Sequence, residues 1–208
     1  MDILKEIAAE LHYLKDMLFK SQESYRADLR ANARALWSGV WDFFDFFVAM
    51  QASVQRGFTQ AFYEGAATCG VRPDELSAEE LARLQSEIVL EQQHITGLAD
   101  FIGEVKARGG KLAEVFTRVE LWVNGYGRVR GLAQTLACED VKYKWVLHPA
   151  EHCSSCRKLS GKVKRGSFWA SHDVQPKSWS KLICRLGCKC SLDPTDEPLT
   201  PGPLPALP

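Results

Sequence analysis

The chain has 208 residues, enough for one domain or for a main domain with a small module. Hydrophobic residues make up 46%, which excludes a globally disordered chain. Its 26 basic and 26 acidic residues cancel, which argues against coating nucleic acid as the main task and leaves only a local basic patch open.

The first 17 residues carry interspersed acidic and basic side chains and no basic-then-apolar pattern, so no secretory leader is expected. The most apolar run, 37–50, is interrupted by Asp42 and Asp45, so no membrane association is expected either. In a chain read as not exported, disulfides are disfavoured, and clustered cysteines point towards metal binding.

Taken in order, Ile3, Leu4, Ile7, Leu11, Leu14, Met17 and Leu18 follow steps of three and four, which predicts a helix over 3–18. Ser21 or Ser24 is placed to cap a second helix over about 24–68, with a break or kink near Gly39, Gly57 or Gly65. Within it Trp37, Trp41, Phe44 and Val48 share one face; Leu36, Val40, Phe43, Phe47 and Met50 share the next. An apolar arc that wide belongs to a bundle core or to a contact surface, and aromatics anchor such surfaces. Trp37, Trp41, Phe44 and Phe47 are the candidate partner interface, including a homo-oligomer formed through the amino-terminal helices.

Gly70 and Pro73 mark a break, and Ser77 with Glu80 reads as a capping box. The helix it opens is expected to run to about Arg108, ended by Gly109 and Gly110. A further helix covers about 111–136. Glu64, Glu87 and Glu91 read as solvated helix positions. Past residue 138 the helical period disappears. Residues 143–147 read as a strand, and 161–169 as a hairpin or two short strands. The last 16 residues hold six prolines and read as an exposed, extended tail. The chain is thus expected to be mainly α, a helical bundle or long helices over 1–138. A small α+β or β-hairpin module follows over 139–193, then a proline-rich extended tail over 194–208.

Five of the seven cysteines lie in that module: Cys153 and Cys156, then, after 27 intervening residues, Cys184, Cys188 and Cys190. A C-x2-C turn brings two thiolates to one point, and a second cluster completes the tetrahedral ligands of zinc. Cys153, Cys156, Cys184 and either Cys188 or Cys190 are the expected set, with Cys188 preferred and His148 and His152 in reserve. A closed site of this kind, with about one zinc per chain, serves folding and not catalysis. A module so short needs such a staple. A redox C-x2-C is disfavoured for want of a strand–helix setting. Cys69 and Cys138, in helical context, read as packed thiols.

The carboxy-terminal part resembles the tailed-phage minor head, or head morphogenesis, proteins. The likeness rests on Arg118-Val-Glu120 with Asn124, Trp145, Cys153-Ser-Ser-Cys156, Leu159-Ser-Gly161-Lys162 and Cys188-Lys-Cys190-Ser-Leu192. It covers about residues 115–193. That family's usual ending has a histidine three residues before the C-x-C, where this chain has Arg185 preceded by Cys184, which favours an all-cysteine ligand set. The resemblance implies a structural virion component of the head, present in the host cytoplasm during assembly, with portal or major capsid protein as partner. The alternative is a nucleic-acid-binding zinc module acting on packaged DNA. For it, Lys162, Lys164 and Arg165, interleaved with Phe168, Trp169 and Trp179, would supply cations and stacking faces. No phosphate loop, nucleophile elbow or H-E-x-x-H is present, so no enzyme is expected.

Overall fold

The computed structural model describes residues 22–178 and 180–207. The helix expected over 3–18, Ser21 and Trp179 lie outside them. Five helices come first: α1 (22–38), α2 (Phe43–Ala67), α3 (Ala78–Gln92), α4 (Ile95–Ala107) and α5 (Leu112–Ala137). Then come β1 (Lys142–Val146), α6 (Ser154–Leu159), β2 (Val163–Arg165), α7 (Gly166–Ser171) and β3 (Ser191–Pro194). The protein is mainly helical with a small three-stranded antiparallel sheet near its carboxy terminus.

The break expected in the second helix falls at Gly39, whose φ of +77° suits glycine. Asp42 then caps α2 by accepting from the Asp45 N–H at 2.9 Å. Ser24 is inside α1, so it caps nothing. Ser77 and Glu80 form the capping box of α3. The helix expected from there to Arg108 is two helices, separated at Gln93 and His94. No glycine or proline marks that joint.

The helices share one core, with Phe46, Met50, Val54, Phe58 and Phe62 of α2 against Val115, Val119, Tyr126 and Val129 of α5. These two helices cross closely at Gly65. A Cβ there would lie 2.8 Å from the Cβ of Ala133 and would also run into the Arg130 carbonyl. Cys69 and Cys138 are joined as a disulfide, with Cα atoms 5.6 Å apart. It ties the end of α2 to the end of α5, and it corrects the reading of these residues as packed thiols.

The sheet has the order β2-β1-β3. The segment 161–169 is not a hairpin: 163–165 pair with β1, and the chain then turns into α7. Gly166 lets that turn sit against α5, since a Cβ there would lie 2.8 Å from the Thr135 carbonyl oxygen. A second core lies beneath, built from Tyr143, Trp145, Leu159, Trp169, Val174 and Leu182 together with cysteine side chains. Trp145 and Trp169 pack with ring centroids 5.8 Å apart, and the Trp169 indole donates to the Tyr143 carbonyl.

The proline-rich end is extended but not free. Thr200 donates its N–H to the Val163 carbonyl, and its hydroxyl accepts from the Val163 N–H. Leu204 and Leu207 pack on the second core. The expected exposed tail is therefore a strap along β2.

Candidate metal centre

The register of the sheet brings the two cysteine groups together. Val146, the last residue of β1, pairs with Ser191, the first of β3, so Cys190 enters from beyond the end of β1. From the same end, the chain leaving β1 reaches α6, with Cys153 as its cap residue and Cys156 in its first turn. Cys184 and Cys188 flank a single 3-10 turn, Arg185–Gly187. Ser155, fully buried, accepts from the Ile183 N–H at 3.4 Å and links the two halves.

The family-like residues between them have structural work at this same end. Gly161 adopts φ +73° and donates to the Trp145 carbonyl, while the Trp145 N–H donates to the Lys162 carbonyl. The Leu159-x-Gly161-Lys162 stretch is thus the turn that carries α6 into β2 and closes onto β1.

All five cysteines converge. Cys156 Sγ lies 3.5 Å from Cys184 Sγ and 3.6 Å from Cys188 Sγ. Thiolates on one tetrahedral zinc, each about 2.3 Å from the metal, stand about 3.8 Å apart. Cys153, Cys156 and Cys184 lie within 4.8 Å of one another, and so do Cys156, Cys188 and Cys190. These are the groups among the described residues that could hold a metal ion. The close spacing suits thiolates sharing an ion. Cys188 and Cys190 both reach Cys156, so the sequence-based choice between them is not forced by position.

His148 and His152 part company. His148 Nε2 bonds to Ser191 Oγ at 2.8 Å. His152 Nδ1 lies 3.6 Å from Cys190 Sγ, and its Nε2 is 2.7 Å from the His148 carbonyl oxygen.

Without a cation Cys156, Cys184 and Cys190 resist ionisation. Burial drives the Cys156 thiol well above its ordinary range, with the nearby Cys188 adding to the rise. Burial likewise pushes Cys184 up to about 12 and Cys190 to about 11. The indole N–H of Trp145, buried with no acceptor in ordinary hydrogen-bond range, works against the rise at Cys190. At Cys153, burial also raises the value, but the N–H of Cys156 and the groups of Cys184 outweigh it and leave about 7. A divalent cation supplies the missing positive charge, so the donor set fits a metal.

The other candidate residues are differently placed. Lys164 is buried; its ammonium donates to the Thr200 carbonyl at 2.7 Å and to that of Gly202, and sits 4.7 Å from the Phe168 ring centre. Arg165 bonds to Asp140, and Lys162 is half-buried. Trp169 is fully buried in the second core. Phe44 is 70% exposed at the turn between α1 and α2, beside exposed Val40, Phe43 and Val48. Trp37, Trp41 and Phe47 are half-buried there.

The sequence reading missed a second polar cluster. Glu64, Glu87 and Glu91 are buried, not solvated. Tyr126 donates its hydroxyl to Glu64 at 2.6 Å. Arg128 is paired with Glu87 and lies 3.6 Å from Glu91. Burial raises Glu91 to about 7, against the pull of Arg128. The signal was in the spacing: Leu84, Glu87, Ile88 and Glu91 fall on one helical face.

Compared with protein-family models, curated proteins and solved structures, the chain matches none.

Proposed function

We propose that the protein is a structural component of a tailed-phage head, a minor head or morphogenesis protein whose cysteine cluster holds zinc as a staple. The observation that carries this reading is that the family-like residues past 140 form one unit, while Arg118, Glu120 and Asn124 lie apart on α5. Trp145, Gly161 and the five cysteines meet at a single end of β1. Such convergence is what a metal module requires, and it supports the reading through that module. The role is structural: thiolates supply a closed ligand shell, and the reading assigns no catalytic residue.

The exposed apolar tip formed by Val40, Phe43, Phe44 and Val48 is the surface this reading assigns to portal or major capsid protein. Contact with packaged DNA has less support, because Lys164 is engaged by the strap and Trp169 by the core. No helix among the described residues is long and apolar enough to cross a membrane.

Purified procapsids and virions should contain the protein, with zinc as the metal found on the isolated chain. The double variant V40S/F44S should keep its helix content by circular dichroism and lose incorporation. Absence of the wild-type protein from both kinds of particle would overturn the reading.

A further inference from the structure

We propose that the cysteine cluster holds two metal ions, with the Cys156 thiolate bridging them. This rests on the metal-binding reading above and concerns how its ligands are divided.

Five sulfurs exceed what one tetrahedral ion can take. Nor do all five lie within 4.8 Å of one another. They form two triads, Cys153 with Cys156 and Cys184, and Cys156 with Cys188 and Cys190, and Cys156 is the member common to both. Its sulfur is 3.5 Å from Cys184 on one side and 3.6 Å from Cys188 on the other. Both distances are close to the edge of a zinc–thiolate tetrahedron, about 3.8 Å. A thiolate has lone pairs for two cations, so a shared sulfur is chemically ordinary.

His152 stands beside the second triad at Cys190, outside the 4.8 Å within which the three sulfurs gather, and is the fourth ligand that the proposal assigns to that ion. Its Nε2 is 2.7 Å from the His148 carbonyl, and a carbonyl only accepts, so Nε2 carries the proton. The lone pair of Nδ1 is then left on the side of the cluster, 3.6 Å from Cys190 Sγ. A ring nitrogen held in this way by a backbone acceptor is the usual support of a metal-ligating histidine. Among the described residues no histidine joins the first triad, whose Cys153 and Cys184 are half-buried and whose Cys156 is buried.

Charge balance agrees. Two dications and five thiolates leave a single net negative charge, whereas one dication with four thiolates leaves two.

The test uses the full chain, purified under reducing conditions and loaded with zinc. Native mass spectrometry and elemental analysis should give two zinc ions per chain. The cadmium-113 form should show two resonances split by coupling through the shared sulfur. His152→Ala should reduce the ratio from two to one, while His148→Ala should leave it at two. Helix content by circular dichroism shows whether each variant remains folded. One ion per chain, with His152→Ala unaffected, overturns the two-ion centre and leaves metal binding standing. No bound metal in the reduced protein overturns both.

Discussion

Two clusters of buried polar groups sit in this molecule, and they differ in where their counter-charge comes from. Between α2, α3 and α5, Glu87 and Glu91 face Arg128, with Arg83 reaching Glu87 from the rim at 3.3 Å. That cluster carries its own cation. Around the end of β1, five thiols crowd together, and burial raises Cys156, Cys184 and Cys190. The helical region also has a large aromatic and aliphatic core around its cluster, whereas the second core is short and partly built from the cysteines. On the proposed reading the module depends on bound metal, while the helices rest on burial and internal pairing.

The strongest way to break that contrast is to remove the metal. A structural zinc contributes free energy on the order of 10 kcal/mol to the fold around it. Chelation should therefore abolish hydrogen-exchange protection in β1, α6, β2 and β3. It should leave α2 to α5 protected, because their core does not include the cysteine cluster. Loss of protection in both regions at the same chelator concentration would show that the module is not separately stapled.

The second test strikes the helical cluster. Arg128→Leu leaves two buried carboxylates without their main partner, and such a change costs about 3–5 kcal/mol. Denaturant unfolding should report that loss, and adding E87Q and E91Q should restore part of it. Glu91 alone gives a pH signature. Its folded value of about 7 lies above the ordinary 4.5, so the folded protein holds this proton more tightly than the unfolded chain. The stability it contributes is full below about pH 4.5 and is lost as pH rises through 7, an effect of order 1–3 kcal/mol. Glu91→Gln should flatten that part of the stability profile.

The same contrast explains what could be read from the sequence. Punctuation was legible: Gly39, the Ser77–Glu80 box and Gly109 end or begin helices through local backbone chemistry, and the structure puts them there. The joint at Gln93 and His94 has no such residue, and α4 beyond it packs against both α2 and α5. The convergence of the cysteines was legible because C-x2-C and a distant second group leave few other uses. Their division into triads was not, because it depends on the register of β1 with β3. The Cys69–Cys138 pair joins residues 69 apart, a match no local pattern encodes. The buried carboxylates were visible in the period of α3 and were discounted because glutamate is usually solvated.

The smallest effect concerns the strap, which decides whether the module is helped by anything besides metal. Lys164 is buried under residues 200–202, and its ammonium donates to two carbonyls there. Hydrogen bonds from a charged donor contribute about 1.5–3 kcal/mol each when both partners are buried, and less where one end is open to solvent. The strap is part-exposed and its residues keep the Val163–Thr200 pairing, so Lys164→Met should cost about 1 kcal/mol. In the metal-loaded protein that loss should appear as faster exchange at Val163 and Thr200, with the metal ratio unchanged. In the chelated protein the substitution should have no further effect, because the strand it fastens is already open. If it destabilised the chelated protein as much as the loaded one, the strap would be holding the module independently of the metal. The division between a self-sufficient helical region and a metal-dependent module would then have to be redrawn at β2.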